Sequence, residues 1–262
     1  MKPALQDLRV LVTRPKKQAA GLIDALTLCG AKAIHYPVLE IEATDKTPEQ
    51  QAILANLKQV HALIFISTNA VRFATAFMEQ QSVNPPSSVQ CFGIGKTTSA
   101  LIEQCFGNAA LFPQNAADSE SLLALEALQQ NQIDGKQIVI VRGEGGRETL
   151  KQQLQLRGAE IQYLELYRRV SPRFTAQKPN PLPTLLENRN IDLITVTSGQ
   201  SLEYLVELAE HKIDQLKTLP LLVPSARVAD IAQRSGFQKL IQSGGARDAE
   251  IIEALSSWQQ RN

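Results

Sequence analysis

Six short segments of the sequence carry the residue types that hold anions. They are Thr13-Arg-Pro-Lys-Lys17, Ser67-Thr-Asn-Ala70, Gly93-Ile-Gly-Lys-Thr-Thr98, Arg142-Gly-Glu-Gly-Gly-Arg147, Thr197-Ser-Gly-Gln200 and Pro224-Ser-Ala-Arg227. Each follows a short apolar run and opens a stretch with helical periodicity. A helix start leaves backbone N–H groups unpaired at the positive end of the helix dipole, which suits carboxylates or phosphates. The cations at these turns are Arg14, Lys16, Lys17, Lys96, Arg142, Arg147 and Arg227, against Glu144 alone. Ser and Thr cap helices whatever a protein does. Basic residues in a first helical turn work against the dipole, so the basic cluster is what points to a ligand. With a formal net charge of +1, that attraction has to be local, and no global field draws the chain to nucleic acid or an anionic membrane.

Other chemistries leave no signature. The segment Gly93–Thr98 has Thr where the third glycine of a dinucleotide fingerprint belongs, and its glycine spacing is not that of a phosphate-binding P-loop. There is no G-x-S-x-G elbow and no paired His/Cys nucleophile. Three cysteines (Cys29, Cys91, Cys105) and three scattered histidines (His35, His61, His211) show no metal-ligand spacing. The cysteines read as small packed hydrophobes in a reducing cytosol. The N-terminal stretch MKPALQDLRVLVTRP lacks the apolar core of a secretory signal, and the apolar runs are too short to span a bilayer. A cytoplasmic protein is expected, and a monomer, since no exposed apolar stripe is evident.

The elements that must position these turns alternate. Strands are predicted at 8–13, 32–36, 61–66, 89–93, 109–112, 137–141, 160–166, 192–197, 219–223 and 238–241, with amphipathic helical stretches between most of them. That alternation argues for α/β architecture with parallel sheets flanked by helices. In such sheets a ligand binds beyond the carboxyl ends of the strands, where the six turns fall. The chain also repeats itself. Val10-Leu-Val-Thr-Arg14 recurs as Ile138-Val-Ile-Val-Arg142, and Gly30-Ala31 as Gly158-Ala159; His61–Ser67 recurs as Asp192–Ser198, and Gly95–Thr98 with Gly107 as Pro224–Arg227 with Gly236. The offsets are nearly constant, which indicates a duplication and two similar domains. Periodicity alone allows either a tandem arrangement or one with the first strip exchanged between domains. Pro37–Ala43 and the proline-rich segment Val170–Pro183 read as hinges.

The strips VLVTRP, FISTNAV (Phe65–Val71), GIGKTTSALIEQCFG (Gly93–Gly107), Val141–Arg169, TVTSGQSLEYL (Thr195–Leu205) and VPSARVADIAQRSGF (Val223–Phe237) together resemble the uroporphyrinogen-III synthase family over essentially the whole chain. The resemblance implies two α/β domains, 1–36 plus 172–262 and 39–168, joined by a two-stranded linker with a cleft between them. It implies the closure of the linear tetrapyrrole hydroxymethylbilane to uroporphyrinogen III, with loss of water and inversion of ring D, and no cofactor or metal. The substrate carries eight carboxylates and closes spontaneously to the non-inverted isomer, so the enzyme's task is to hold one folded shape and shelter cationic intermediates. The one protein partner it leaves open is transient contact with the enzyme that supplies hydroxymethylbilane.

Residue by residue, the family's Tyr with a direct role falls on Tyr167, whose hydroxyl is placed to donate to the departing hydroxyl; a ring simply packed on the hinge is the other reading. Arg14, Ser67, Thr98 and Ser198 match substrate-binding turns of the family. Asn69, Lys96, Arg142 and Arg227 join them as expected substrate ligands from the same set of turns. Two positions depart from the family pattern: Ile66 replaces the usual Thr before Ser67, and Arg227 brings a charge where a G-x-x-T turn has a hydroxyl. The rival functions are a non-catalytic two-domain sensor of an anionic metabolite, with the same basic rim, and a nucleotide-sugar transferase, which usually runs longer and carries acidic motifs not evident here.

Overall fold

Eleven strands organise the computed structural model, which describes residues 4–261. In chain order they are β1 (Arg9–Val12), β2 (Lys32–His35), β3 (Glu40–Ala43), β4 (Ala62–Phe65), β5 (Gln90–Gly93), β6 (Ala110–Leu111), β7 (Gln137–Gly143), β8 (Glu160–Val170), β9 (Leu193–Thr195), β10 (Leu221–Val223) and β11 (Leu240–Gln242). They form two sheets, ordered β11-β10-β9-β1-β2 and β3-β8-β7-β4-β5-β6. The chain divides accordingly into a first unit, 1–40 with 170–262, and a second, 41–169. The chain passes from one unit to the other at the start of β3 and the end of β8, which are hydrogen-bonded neighbours.

The repeat in the sequence maps onto equal places in the two sheets. The run β11-β10-β9-β1-β2 corresponds to β6-β5-β4-β7-β8, so His61–Ser67 and Asp192–Ser198 occupy equivalent central strands. In the first unit the strand beside that one is β1, from the start of the chain; in the second it is β7. The predicted α/β class with parallel sheets flanked by helices is what is found, and the pairings β1–β2, β1–β9, β9–β10, β10–β11, β4–β5, β4–β7, β5–β6 and β7–β8 are all parallel.

Period-two alternation builds the second unit's core on both faces of its sheet. Leu63, Phe65, Val139 and Val141 bury one face with Val71, Ala74, Met78 and Ile102, from the helices Thr68–Gln80 and Lys96–Phe106. Ala62, Ile64, Ile138 and Ile140 bury the other with Leu122, Leu128, Leu150 and Leu154. In the first unit Val10 and Val12 pack with Leu22, Leu26, Ile251 and Leu255.

Two local expectations need correction. Glu40–Ala43, read as hinge, is a strand, because β8 runs on to Val170 and offers it a partner. The end of the proline-rich segment starts a helix, Leu182–Glu187; Pro183 sits in its first turn, where a missing N–H costs nothing. No helix among the described residues is long and apolar enough to cross a membrane.

The helix Lys16–Leu28 carries Gly21 in its interior, a position where alanine normally stabilises by about 0.8–1.0 kcal/mol. A Cβ there would stand 2.7 Å from Asp248 Oδ2, and Asp248 is held by Arg14. Gly21→Ala should therefore give no gain in the wild-type chain and recover about 0.8–1.0 kcal/mol in an Asp248→Ala background, read from urea denaturation midpoints. An equal gain in both backgrounds would refute the clash. A second check concerns Asp192, which accepts from the Arg9 side chain at 2.9 and 2.5 Å and from its backbone N–H at 2.9 Å. The Arg9 guanidinium holds this carboxyl below its ordinary range. A lowered folded pKa gives stability that is present above the unfolded pKa, about 3.9, and is lost as pH falls through the folded value. The deficit of Asp192→Asn should be constant above about pH 5 and shrink below about pH 4; a deficit unchanged at about pH 2.5 rules the linkage out.

Candidate active site

In the second unit the register Phe65↔Gly93 and Phe65↔Val141 aligns the carboxyl ends of β4, β5 and β7. Three of the six turns therefore share one edge. Ser67, extended at φ −169°, caps the helix Thr68–Gln80 by accepting from Ala70 N–H at 3.0 Å. Gly95 starts the helix Lys96–Phe106 with no side-chain cap. Gly93 has no room for more than hydrogen, since a Cβ would lie 2.8 Å from Ser99 N and 2.3 Å from its Oγ. After β7 the chain turns through Gly145 and Gly146 at φ +71° and +100°, left-handed conformations that favour glycine.

Tyr167 reaches this edge through an irregularity in β8. Strict alternation would send Tyr163, Glu165 and Tyr167 to one face and Leu164 and Leu166 to the other. The register moves from Arg142↔Glu165 to Gly143↔Tyr167, a bulge that skips Leu166. Tyr167 accordingly packs in the same cluster as Leu164 and Leu166, whereas Tyr163 packs with the opposite one. Its ring, 3% exposed, stacks on Phe73 with centroids 5.2 Å apart and lies against Gly143, where a Cβ would come within 2.5 Å of ring Cε2. Its hydroxyl is 2.9 Å from Ser67 Oγ.

A cavity of about 320 Å³ opens beside Gly143–Arg147, with Ile66, Ile94, Tyr163 and Tyr167 in its wall. Its charge is mixed: Arg142, Arg147 and Arg169 line it together with Asp118, Glu120 and Glu144. The expectation of a basic rim opposed by Glu144 alone does not hold for this cavity, because the start of the helix Ser119–Leu123 brings acids that no strand-end motif announced.

Arg142 is not an open cation. It is 3% exposed and spends its donors inward, on Gly143 O at 3.2 Å, Arg147 O at 3.4 Å and Glu148 Oε1 at 3.4 Å, with Glu165 at 3.6 Å. Its guanidinium lies 4.5 Å from the centre of the Tyr163 ring. The Tyr163 hydroxyl donates to Glu148 Oε2 at 2.9 Å, and burial, then this bond, push it up to about 12. Arg142 thus braces the glycine loop by its carbonyls. Loop N–H groups of Gly145, Gly146 and Arg147 have no hydrogen-bond partner among the described residues.

The remaining expected residues divide between the units. Asn69 is half-buried in the helix that Ser67 caps, Thr98 is buried in the first turn after Gly95, and Lys96 beside it is exposed. In the first unit Arg14 is buried, its guanidinium bound to the Asp248 carboxylate and the Ala246 carbonyl, so it too does not offer the free charge expected of it. Ser198 caps the helix Gly199–Leu208 through Ser201 N–H at 3.1 Å, as Ser67 does in the second unit. Arg227 is exposed and without an ion pair among the described residues. Phe73 and Gly143, which seat the tyrosine ring, were not anticipated. Phe73 lies six residues beyond Ser67 on a helix face that looks like ordinary core, and only the bulge gives it its role. Among the described residues no three His, Cys, Asp or Glu gather as a metal site.

Comparison with known proteins gives one answer. Residues 20–253 match the family described as uroporphyrinogen-III synthase HemD. The uroporphyrinogen-III synthase of Escherichia coli K12 is 32% identical over 248 residues, covering 94% of this chain and 99% of that protein, and that of Salmonella typhimurium LT2 is 31% identical with the same coverage. In fold, the uroporphyrinogen-III synthetase of Helicobacter pylori 26695 superposes with a TM-score of 0.62 at 13% identity, covering 95% of this chain and 99% of that one. A mutant uroporphyrinogen III synthase from Thermus thermophilus superposes at 0.59 with 15% identity over 97% of this chain and 100% of that one. The chain belongs to the uroporphyrinogen-III synthase family.

Proposed function

We propose that this chain closes hydroxymethylbilane to uroporphyrinogen III in the cytoplasm, with loss of water and inversion of ring D, using Tyr167 as the group that protonates the departing hydroxyl. Family membership supports the reaction. The observation that carries the role of Tyr167 is its position, with its ring gripped by Phe73 and Gly143 in the wall of a cavity beside a glycine loop. A phenol is acid enough to donate in a transition state yet keeps its proton at neutral pH.

The substrate's carboxylates suit the free amides of Gly145, Gly146 and Arg147, with Arg147 as an exposed cation in the cavity wall and Lys96 as an exposed cation at the start of the helix Lys96–Phe106. Successive main-chain donors in a turn hold a carboxylate without needing a side chain to be ordered first. Holding the chain ends together in one orientation gains the effective concentration that favours attack from the substituted carbon of ring D over the uncatalysed route. Ser198 and Arg227 of the first unit are the further ligands this reading employs. Transient contact with the enzyme that makes hydroxymethylbilane fits a substrate that closes on its own.

The deciding experiment is incubation with freshly generated hydroxymethylbilane, followed by chromatographic separation of the uroporphyrin isomers. Isomer III in excess of the uncatalysed background is expected; isomer I alone means an anion-binding protein without this chemistry. Tyr167→Phe removes the donor and keeps the ring, so kcat should fall by about tenfold to a thousandfold. Wild-type turnover in that variant would leave Tyr167 a packing residue.

A further inference from the structure

Ser67 is expected from its turn to bind substrate, yet Ile66 and Tyr167 line the cavity and Ser67 does not. Its hydroxyl has one proton and two lone pairs. One lone pair accepts from Ala70 N–H at 3.0 Å, in the first turn of the helix Thr68–Gln80. The remaining capacity faces Tyr167 Oη at 2.9 Å, and either oxygen can be the donor. Only one polarity leaves the phenol proton available to anything else.

We propose that Ser67 is a positioning residue that acts through Tyr167, with its hydroxyl donating to the phenol oxygen so that the phenol proton points to the leaving hydroxyl. The inference rests on the general-acid reading of Tyr167 given above. The chain of donors runs from Ala70 N–H to Ser67 Oγ, from Ser67 O–H to Tyr167 Oη, and from Tyr167 O–H to the substrate. When the carbon–oxygen bond of the hydroxymethyl group breaks, its electron pair goes to oxygen and the phenol proton joins that oxygen, completing a water molecule. A phenolate and a pyrrole-stabilised cation remain. The proton released as the macrocycle closes returns to the phenolate, so the balance over the cycle is the loss of one water. During the phenolate's lifetime the Ser67 O–H becomes a charge-assisted hydrogen bond, roughly twice as strong as the neutral one. Behind it stands the positive end of a thirteen-residue helix, and linked hydrogen bonds polarise one another.

Phe73 stacks on the phenol ring and Gly143 lies against it, so the ring is fixed and its hydroxyl is held at the Ser67 oxygen. Ser67 therefore serves two ends with one atom, capping a helix and orienting an acid. The two roles separate by substitution. Aspartate caps a helix as well as serine does, but an ionised carboxylate only accepts; it would take the phenol proton toward itself.

The test is a set of kcat and KM measurements on wild type, Ser67→Ala, Ser67→Asp, Ser67→Thr, Tyr167→Phe and the Ser67→Ala/Tyr167→Phe pair. Ser67→Ala should lower kcat by about tenfold to a hundredfold, the usual range for a hydrogen bond to a charged group, with KM nearly unchanged. Ser67→Asp should fold at least as stably as Ser67→Ala and remain as slow, whereas Ser67→Thr should restore most of kcat. In the Tyr167→Phe background the Ser67→Ala penalty should vanish. An undiminished penalty there, a loss confined to KM, or recovery by Asp overturns the relay and leaves Tyr167 in place as the acid. Wild-type kcat in Tyr167→Phe overturns the general-acid reading, and the relay falls with it.

Discussion

A single skipped residue in β8 governs the candidate site. Without the shift after Arg142↔Glu165, Leu166 would sit opposite Gly143 and Tyr167 would point to the face that carries Tyr163. A one-residue change of register inverts every side chain beyond it, and bulges are a recurrent means of re-aiming one group beside a site. Here the shift brings the phenol under Phe73 and within reach of Ser67, while Leu164 and Leu166 stay in the core. Gly143 is the matching requirement on β7, because the ring occupies the volume a side chain would need.

Charge is used in a way that the strand-end motifs do not suggest. The two arginines at equivalent places in the repeat, Arg14 and Arg142, are both buried and both bound by carbonyls and carboxylates of the protein itself. Each ties a loop at a strand end: Arg14 the segment before the helix Asp248–Gln259, Arg142 the glycine turn. A guanidinium has five donors in a fixed fork, so one side chain can hold several carbonyls and carboxylates at once. That makes it an effective brace for a segment with no regular structure.

How far the sequence could be read follows from distance along the chain. The sheets were legible because the signal is local: Ile138 and Ile140 alternate with Val139 and Val141, and the repeat places the strips in equivalent strands. Helix starts were legible for the same reason, with Ser67 and Ser198 each capping as their types suggest. The fate of Arg14 was not, since Asp248 is 234 residues away. The bulge was hidden because the strand read from the sequence stops at residue 166, one short of Tyr167, whereas β8 runs on to Val170; its consequence depends on Gly143 and Phe73 in other elements. The segment Asp118–Glu120, which lends acid to the cavity wall, carries no strand-end signal at all.

The glycine turn has a consequence for heredity. A surface that presents main-chain N–H groups specifies a path for the chain rather than a roster of side chains, and many sequences can trace the same path so long as glycine stays where φ is positive. Recognition of that type leaves little fingerprint for selection to preserve letter by letter.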